Sequence, residues 1–212
     1  MKKLTTIIFA SLFSLYSFAS FAEVAVGISA NFASIETDGS ETLRDSANVT
    51  KASVSEEMVL PEVFIESVED WGAMGLAWIP AQELGSKSRS DTNSDGDTGT
   101  YKAEAEISSH ILIYINANFA EAAGHTMYAI GGLSVADITT AESLNSGSSY
   151  GDEDVLGYTV GLGAKADLGD SMFYKLEGTF TDYDTYDESS ANNKIQAETE
   201  VTSIKVGIGY KF

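Results

Sequence analysis

The chain has 212 residues, with 12 Lys and Arg against 32 Asp and Glu, a formal charge of −20, and no Cys. That charge excludes a nucleic-acid partner, whose affinity rests on cations neutralising phosphates. The missing Cys excludes a disulfide framework, thiolate metal sites and cysteine nucleophiles.

Residues 1–22 have a basic start (Lys2, Lys3), an apolar run from Leu4 to Phe18, and small residues at Ser20 and Ala22. This is the layout of a cleaved secretory signal, which leaves one domain over 23–212. Without Lys2 and Lys3 its formal charge is −22. Beyond the signal no apolar run approaches the roughly 18 to 20 residues of a spanning helix, so any membrane crossing is by strands.

Nineteen Gly, two Pro, ten Tyr, ten Phe and no sustained 3.6-residue apolar spacing point to an all-β domain. Eight alternating segments follow in order: 23–36, 58–68, 73–84, 101–118, 125–138, 155–168, 171–184 and 198–212. The connections alternate between long (37–57, 85–100, 139–154, 185–197) and short (69–72, 119–124, 169–170), which describes a meander with two unlike ends. The long connections hold the turn formers and acids and belong in water.

Alternation splits each segment into two faces. Val24, Val26, Ile28, Ala30 and Phe32 oppose Ala25, Gly27, Ser29, Asn31 and Ala33 in the first; Ile204, Val206, Ile208, Tyr210 and Phe212 oppose Ser203, Lys205, Gly207, Gly209 and Lys211 in the last. No apolar face carries a charge. The other faces are rich in Gly yet hold opposite charges: Glu62, Glu66, Glu104, Glu106, Asp167 and Glu177 against Lys102, Lys165, Lys175, Lys205 and Lys211. Near-balance of charge suits a closed polar interior of ion pairs. The apolar faces then meet lipid, where a mid-bilayer cation would cost about 2 to 4 kcal/mol. Aromatics fall at both ends of this band: Trp71, Phe119, Tyr174, Tyr210 and Phe212 near the short turns, and Phe32, Trp78 and Phe180 nearer the long loops. In the fifth segment Met127, Ala129, Gly131, Leu133 and Val135 compete with Tyr128, Ile130, Gly132 and Ser134 for the outer face, and a bulge at Gly131-Gly132 would mix them.

With its alternating ending Ile204-Lys-Val-Gly-Ile-Gly-Tyr-Lys-Phe212, the mature chain resembles the eight-stranded outer-membrane β-barrels of the OmpA-transmembrane, OmpX and opacity-protein type. The resemblance implies an antiparallel up-and-down transmembrane β-barrel over 23–212, a periplasmic amino terminus, short periplasmic turns and long outward loops. It also implies that Val206, Ile208, Tyr210 and Phe212 are read as an assembly signal. The partners implied are outer-membrane lipid and lipopolysaccharide, with the barrel-assembly machinery and periplasmic chaperones during insertion, for a protein acting as a monomer.

Eight strands leave a lumen that side chains fill, so the Glu and Lys set is expected to plug it. Asp91, Asn93, Asp95 and Asp97 match the opening of a calcium loop, but Lys102 stands where a bidentate Glu is wanted, so they are candidate ligands for a weak Ca²⁺ site only; no other cofactor is expected. His110, on the lumenal face, and His125, at a turn, have no Ser or Asp in catalytic spacing, and no enzyme is expected. Pro61 and Pro80 should face one another in the second and third strands, where neither can donate to a ladder: either a bulge, or a lateral seam. The expected function is a structural or surface role with acidic extracellular loops. The alternative is a narrow channel or lateral-seam transporter for ions or small apolar molecules.

Overall fold

A computed structural model describes residues 23–43, 47, 49–92, 98–142, 153–189 and 193–212, and the side chains of 23–42, 47, 49–83, 109–137, 154–189 and 194–212. The signal segment 1–22 lies outside the described residues.

The strands are β1 (Glu23–Leu43), β2 (Val49–Glu69), β3 (Gly72–Thr92), β4 (Thr98–Ala122), β5 (His125–Glu142), β6 (Glu153–Asp167), β7 (Met172–Tyr183), β8 (Tyr186–Ser189) and β9 (Asn193–Lys211). Successive strands pair antiparallel, β9 follows β7 in the wall, and β9 closes on β1, from Ala25↔Lys211 to Leu43↔Asn193. Short β8 adds to β9 beyond the end of β7. The fold is therefore an all-β, eight-stranded antiparallel up-and-down barrel. Closure leaves no sheet edge around its short-turn end, as lipid requires.

Cross-strand partners traced once round the wall run Ile65, Leu76, Ile113, Leu133, Tyr158, Asp182, Glu200, Glu36 and back to β2 at Ser55. The circuit returns ten residues from its start, which for eight strands tilts them about 40° from the axis, so each residue climbs about 2.5 Å.

Most strands run past their expected ends. The segments 37–57 and 85–100, expected as loops, are largely paired arms, because alternation of small polar residues supports a ladder without an apolar face. The turn after β4 narrows to Ala123-Gly124, both at positive φ (51° and 78°), the two-residue turn whose twist suits a hairpin. The ladders of β5 run unbroken through Gly131-Gly132, so the mixed-face bulge considered there does not occur: Tyr128, Ile130 and Ser134 point inward and Ala129, Gly131 and Leu133 outward. Register slips lie instead between Glu83 and Gly85, Ile107 and Ser109, and Asn118 and Ala120.

The faces are inverted relative to a water-soluble barrel. Val26, Ile28, Val160, Leu162, Leu176, Ile204 and Val206 are exposed on the outside, while Glu62, Glu66, Lys175 and Glu177 are buried within. The inward glycines have a specific use. Phe64, Tyr114, Tyr128 and Phe173 each lie across the directly paired Gly27, Gly75, Gly163 and Gly209, where a Cβ would overlap the ring. Four rings covering four glycines fill the lower lumen. Replacing Gly75 with Val should displace Tyr114 and lower stability by about 1 to 3 kcal/mol, measured by urea unfolding in lipid.

Candidate functional site: a charged lumen beneath the end of one ladder

Odd residues of β7 and β9 and even residues of β2 point inward, so Lys175, Glu177, Lys205, Glu62 and Glu66 converge on the barrel axis. Lys175, 2% exposed, lies 3.0 Å from Glu66 Oε1 and 3.4 Å from Glu177 Oε1, with its ammonium 3.6 Å from the centroid of the Phe64 ring. Tyr114 donates to Glu66 at 2.7 Å and Tyr128 to Glu177 at 2.8 Å. Glu62 accepts from Lys205 at 2.8 Å, Ser29 at 2.6 Å and Asn31 at 3.3 Å. Buried charges in this arrangement are paired and hydrogen-bonded, which makes the cluster a rigid plug. At the short-turn rim Lys211 pairs with the more exposed Asp167 at 2.8 Å, and Lys165 stands 5.8 Å from the centroid of Tyr128. Lys102, Glu104 and Glu106 lie beyond the slip after Ile107, and their side chains are outside the described residues.

Spacing alone did not reveal the tyrosines, Ser29 and Asn31 as partners of the acids. Their signal was inward parity next to a charge. His125, at the turn, donates through Nδ1 to the Ala123 carbonyl (3.0 Å) and accepts at Nε2 from Tyr174 (2.5 Å), a structural tie.

Above the plug, hydroxyls link neighbouring strands: Ser134 to Thr159 (2.9 Å), Thr159 to Thr181 (2.8 Å) and Thr179 to Ser203 (2.7 Å). The opposite wall differs. β2 and β3 pair only from Glu69↔Gly72 up to Val63↔Trp78, although both strands continue. Beyond that pair β2 stays bonded to β1 up to Thr42↔Val49, and β3 to β4 up to Thr92↔Thr98. Two residues past the last pair stand Pro61 and Pro80, and neither has an N–H to donate across the gap. On the lumenal side Leu60 and Ile79 are buried with Ala33, and Met58 and Val201 pack against them. The ladder thus ends beside Trp78, at the outer aromatic end of the apolar band, and the first outward acid on β2 is Glu57, about 10 Å above Pro61 at this tilt.

Val206, Ile208 and Tyr210 line the outer face of β9 and Phe212 follows its last residue, all exposed. Of the calcium candidates, Asn93, Asp95 and Asp97 lie outside the described residues, as does the side chain of Asp91. At the long-loop end a polar cavity of about 800 Å³ lies against β2, β1, β9 and β8, lined by Asp38, Lys51, Ser53, Asp187, Gln196 and Glu198. Asp187 is held below the usual carboxylate range by its hydrogen bond to Lys194, 2.7 Å away, an exposed pair that solvent screens.

No protein-family model matches the chain. It is 29% identical over 86 residues, 41% of its length, to a 22 kDa outer membrane protein of Rhizobium leguminosarum bv. viciae. Over 69 residues, 32% of its length, it is 32% identical to a 25 kDa outer-membrane immunogenic protein of Brucella canis. The chain spans 39% and 32% of the lengths of these two relatives. Among solved structures, the outer membrane protein OprG from Pseudomonas aeruginosa superposes with a TM-score of 0.50 at 16% identity, covering 90% of this chain and 96% of that one.

Proposed function

We propose that this barrel, similar in fold to small outer-membrane proteins, is a non-enzymatic lateral conduit of the bacterial outer membrane that passes small apolar molecules from its lumen into the lipid. The observation that carries this reading is the end of the β2–β3 ladder at Val63↔Trp78, at the outer end of the apolar band and under two facing prolines. The closed plug below supports it, since a solute entering from the long-loop end meets Lys175, Glu66 and Glu177 before the short turns. This reading favours the seam transporter over the purely structural role. In the cell the short turns face the periplasm, and the outer face of β9 is offered to the assembly machinery.

The test exploits the absence of native Cys. In a Val59→Cys, Gln82→Cys variant, which keeps both prolines and places the two cysteines opposite one another if the register of Val63↔Trp78 is continued, oxidation should bridge the seam and stop protein-dependent uptake of a fluorescent apolar solute into lipid vesicles, and reductant should restore it. Planar bilayers should show no stable ion conductance in either state. Equal uptake before and after bridging would overturn the seam. A second reading, contact at the cell surface, is favoured by the polar cavity between Asp38, Lys51 and Asp187 and would then take its place.

A further inference from the structure

The lumenal lip of the seam combines two apolar side chains with two polar atoms that have no partner among the described residues. Leu60 on β2 and Ile79 on β3 form the lip. Directly paired behind them are Asn31 on β1 (with Leu60) and His110 on β4 (with Ile79), so one polar residue stands one strand back on each side. Asn31 is 2% and His110 8% exposed. Asn31 uses its amide N–H on Glu62, which leaves Oδ1 as a buried acceptor without a donor. His110 packs edge-on to Tyr183 (centroids 6.3 Å) with Nδ1 unbonded. A buried polar atom without a partner costs free energy that a bound group can recover.

We infer that the seam's inner mouth is a binding site for uncharged amphiphiles bearing a single hydroxyl, whose apolar body lies across Leu60 and Ile79 while the hydroxyl bonds Asn31 or His110. The inference rests on the seam reading for its route and adds the class of cargo. Asn31 Oδ1 needs a donor, which an alkane or a ketone lacks. His110 Nδ1 is a donor in one tautomer and an acceptor in the other, and a hydroxyl satisfies both. A carboxylate is disfavoured, because the adjoining buried cluster already holds three acids (Glu62, Glu66, Glu177) against two lysines (Lys175, Lys205).

The experiment compares three molecules of similar shape, 2-naphthol, 2-methylnaphthalene and 2-naphthoate, by saturable fluorescence change on the folded barrel in lipid nanodiscs, with empty nanodiscs subtracted. Naphthol should bind about tenfold more tightly than methylnaphthalene, and naphthoate more weakly than either. Asn31→Leu with His110→Phe should bring naphthol down to methylnaphthalene, while Asn31→Ser with His110→Gln, which keeps hydrogen-bonding groups, should restore part of the difference. Heat-modifiable migration on gels checks that each variant is folded. Equal affinity of naphthol and methylnaphthalene for the wild type, or a preference that survives Asn31→Leu with His110→Phe, would overturn the inference. The cysteine bridge separates the two claims: loss of uptake on bridging without a hydroxyl preference leaves the seam standing and removes the cargo assignment alone.

Discussion

Replacing Lys175 with Met should destabilise the folded barrel by about 3 to 5 kcal/mol, the largest effect expected of any single lumenal substitution. Lys175 is the sole cation within 4 Å of both Glu66 and Glu177 among the described residues, and its own ring contact with Phe64 fixes it between them. Without it, two carboxylates remain in a closed lumen with only neutral donors among the described residues, Tyr114 and a long contact from Asn116 on Glu66 and Tyr128 on Glu177. Urea unfolding in lipid, followed through Trp71 and Trp78, measures the loss. Adding Glu66→Gln and Glu177→Gln to Lys175→Met should recover most of it, since neutral amides keep the shape without the stranded charge. A loss under about 1 kcal/mol would mean that water reaches the cluster and that it is no plug.

Restoring a donor to both sides of the seam should close it. In Pro61→Val with Pro80→Val, the ladder that ends at Val63↔Trp78 can continue upward. Two regained hydrogen bonds at about 1 kcal/mol each would reduce the open population about thirtyfold, and uptake of an apolar solute with it. The same variant should be slightly more stable, because β-branched residues suit a strand. Uptake equal to wild type in a folded variant would show that the prolines mark only an irregularity in the wall.

The two-residue period made much of this architecture legible before any coordinates. Val206, Ile208 and Tyr210 could be placed outside and Lys205 inside because a strand allows no third direction. The facing of Pro61 and Pro80 followed from counting outward from the turn at Trp71. The arms beyond the membrane were less legible: Thr37, Gly39, Ser53 and Ser55 carry loop composition yet pair in register. Backbone hydrogen bonds hold such arms without an apolar face to announce them. The competing faces of β5 were settled by its neighbours, since Gly132 sits where a Cβ would press on the Ile113 carbonyl and Leu112, and Tyr128 needs Gly163 opposite.

By itself, the sequence determined the class of the protein, its strand count, the lipid face and the inward placement of Glu62, Glu66, Lys175, Glu177 and Lys205. Each of these depends on which side of a strand a residue occupies, and alternation carries that information locally. Only the tertiary structure decided which acid meets which lysine, that tyrosines complete the plug, and that the ladder between β2 and β3 stops at Val63↔Trp78. Those outcomes depend on the ten-residue stagger of the closed barrel and on where one ladder stops, and both are set by contacts between residues far apart in the chain.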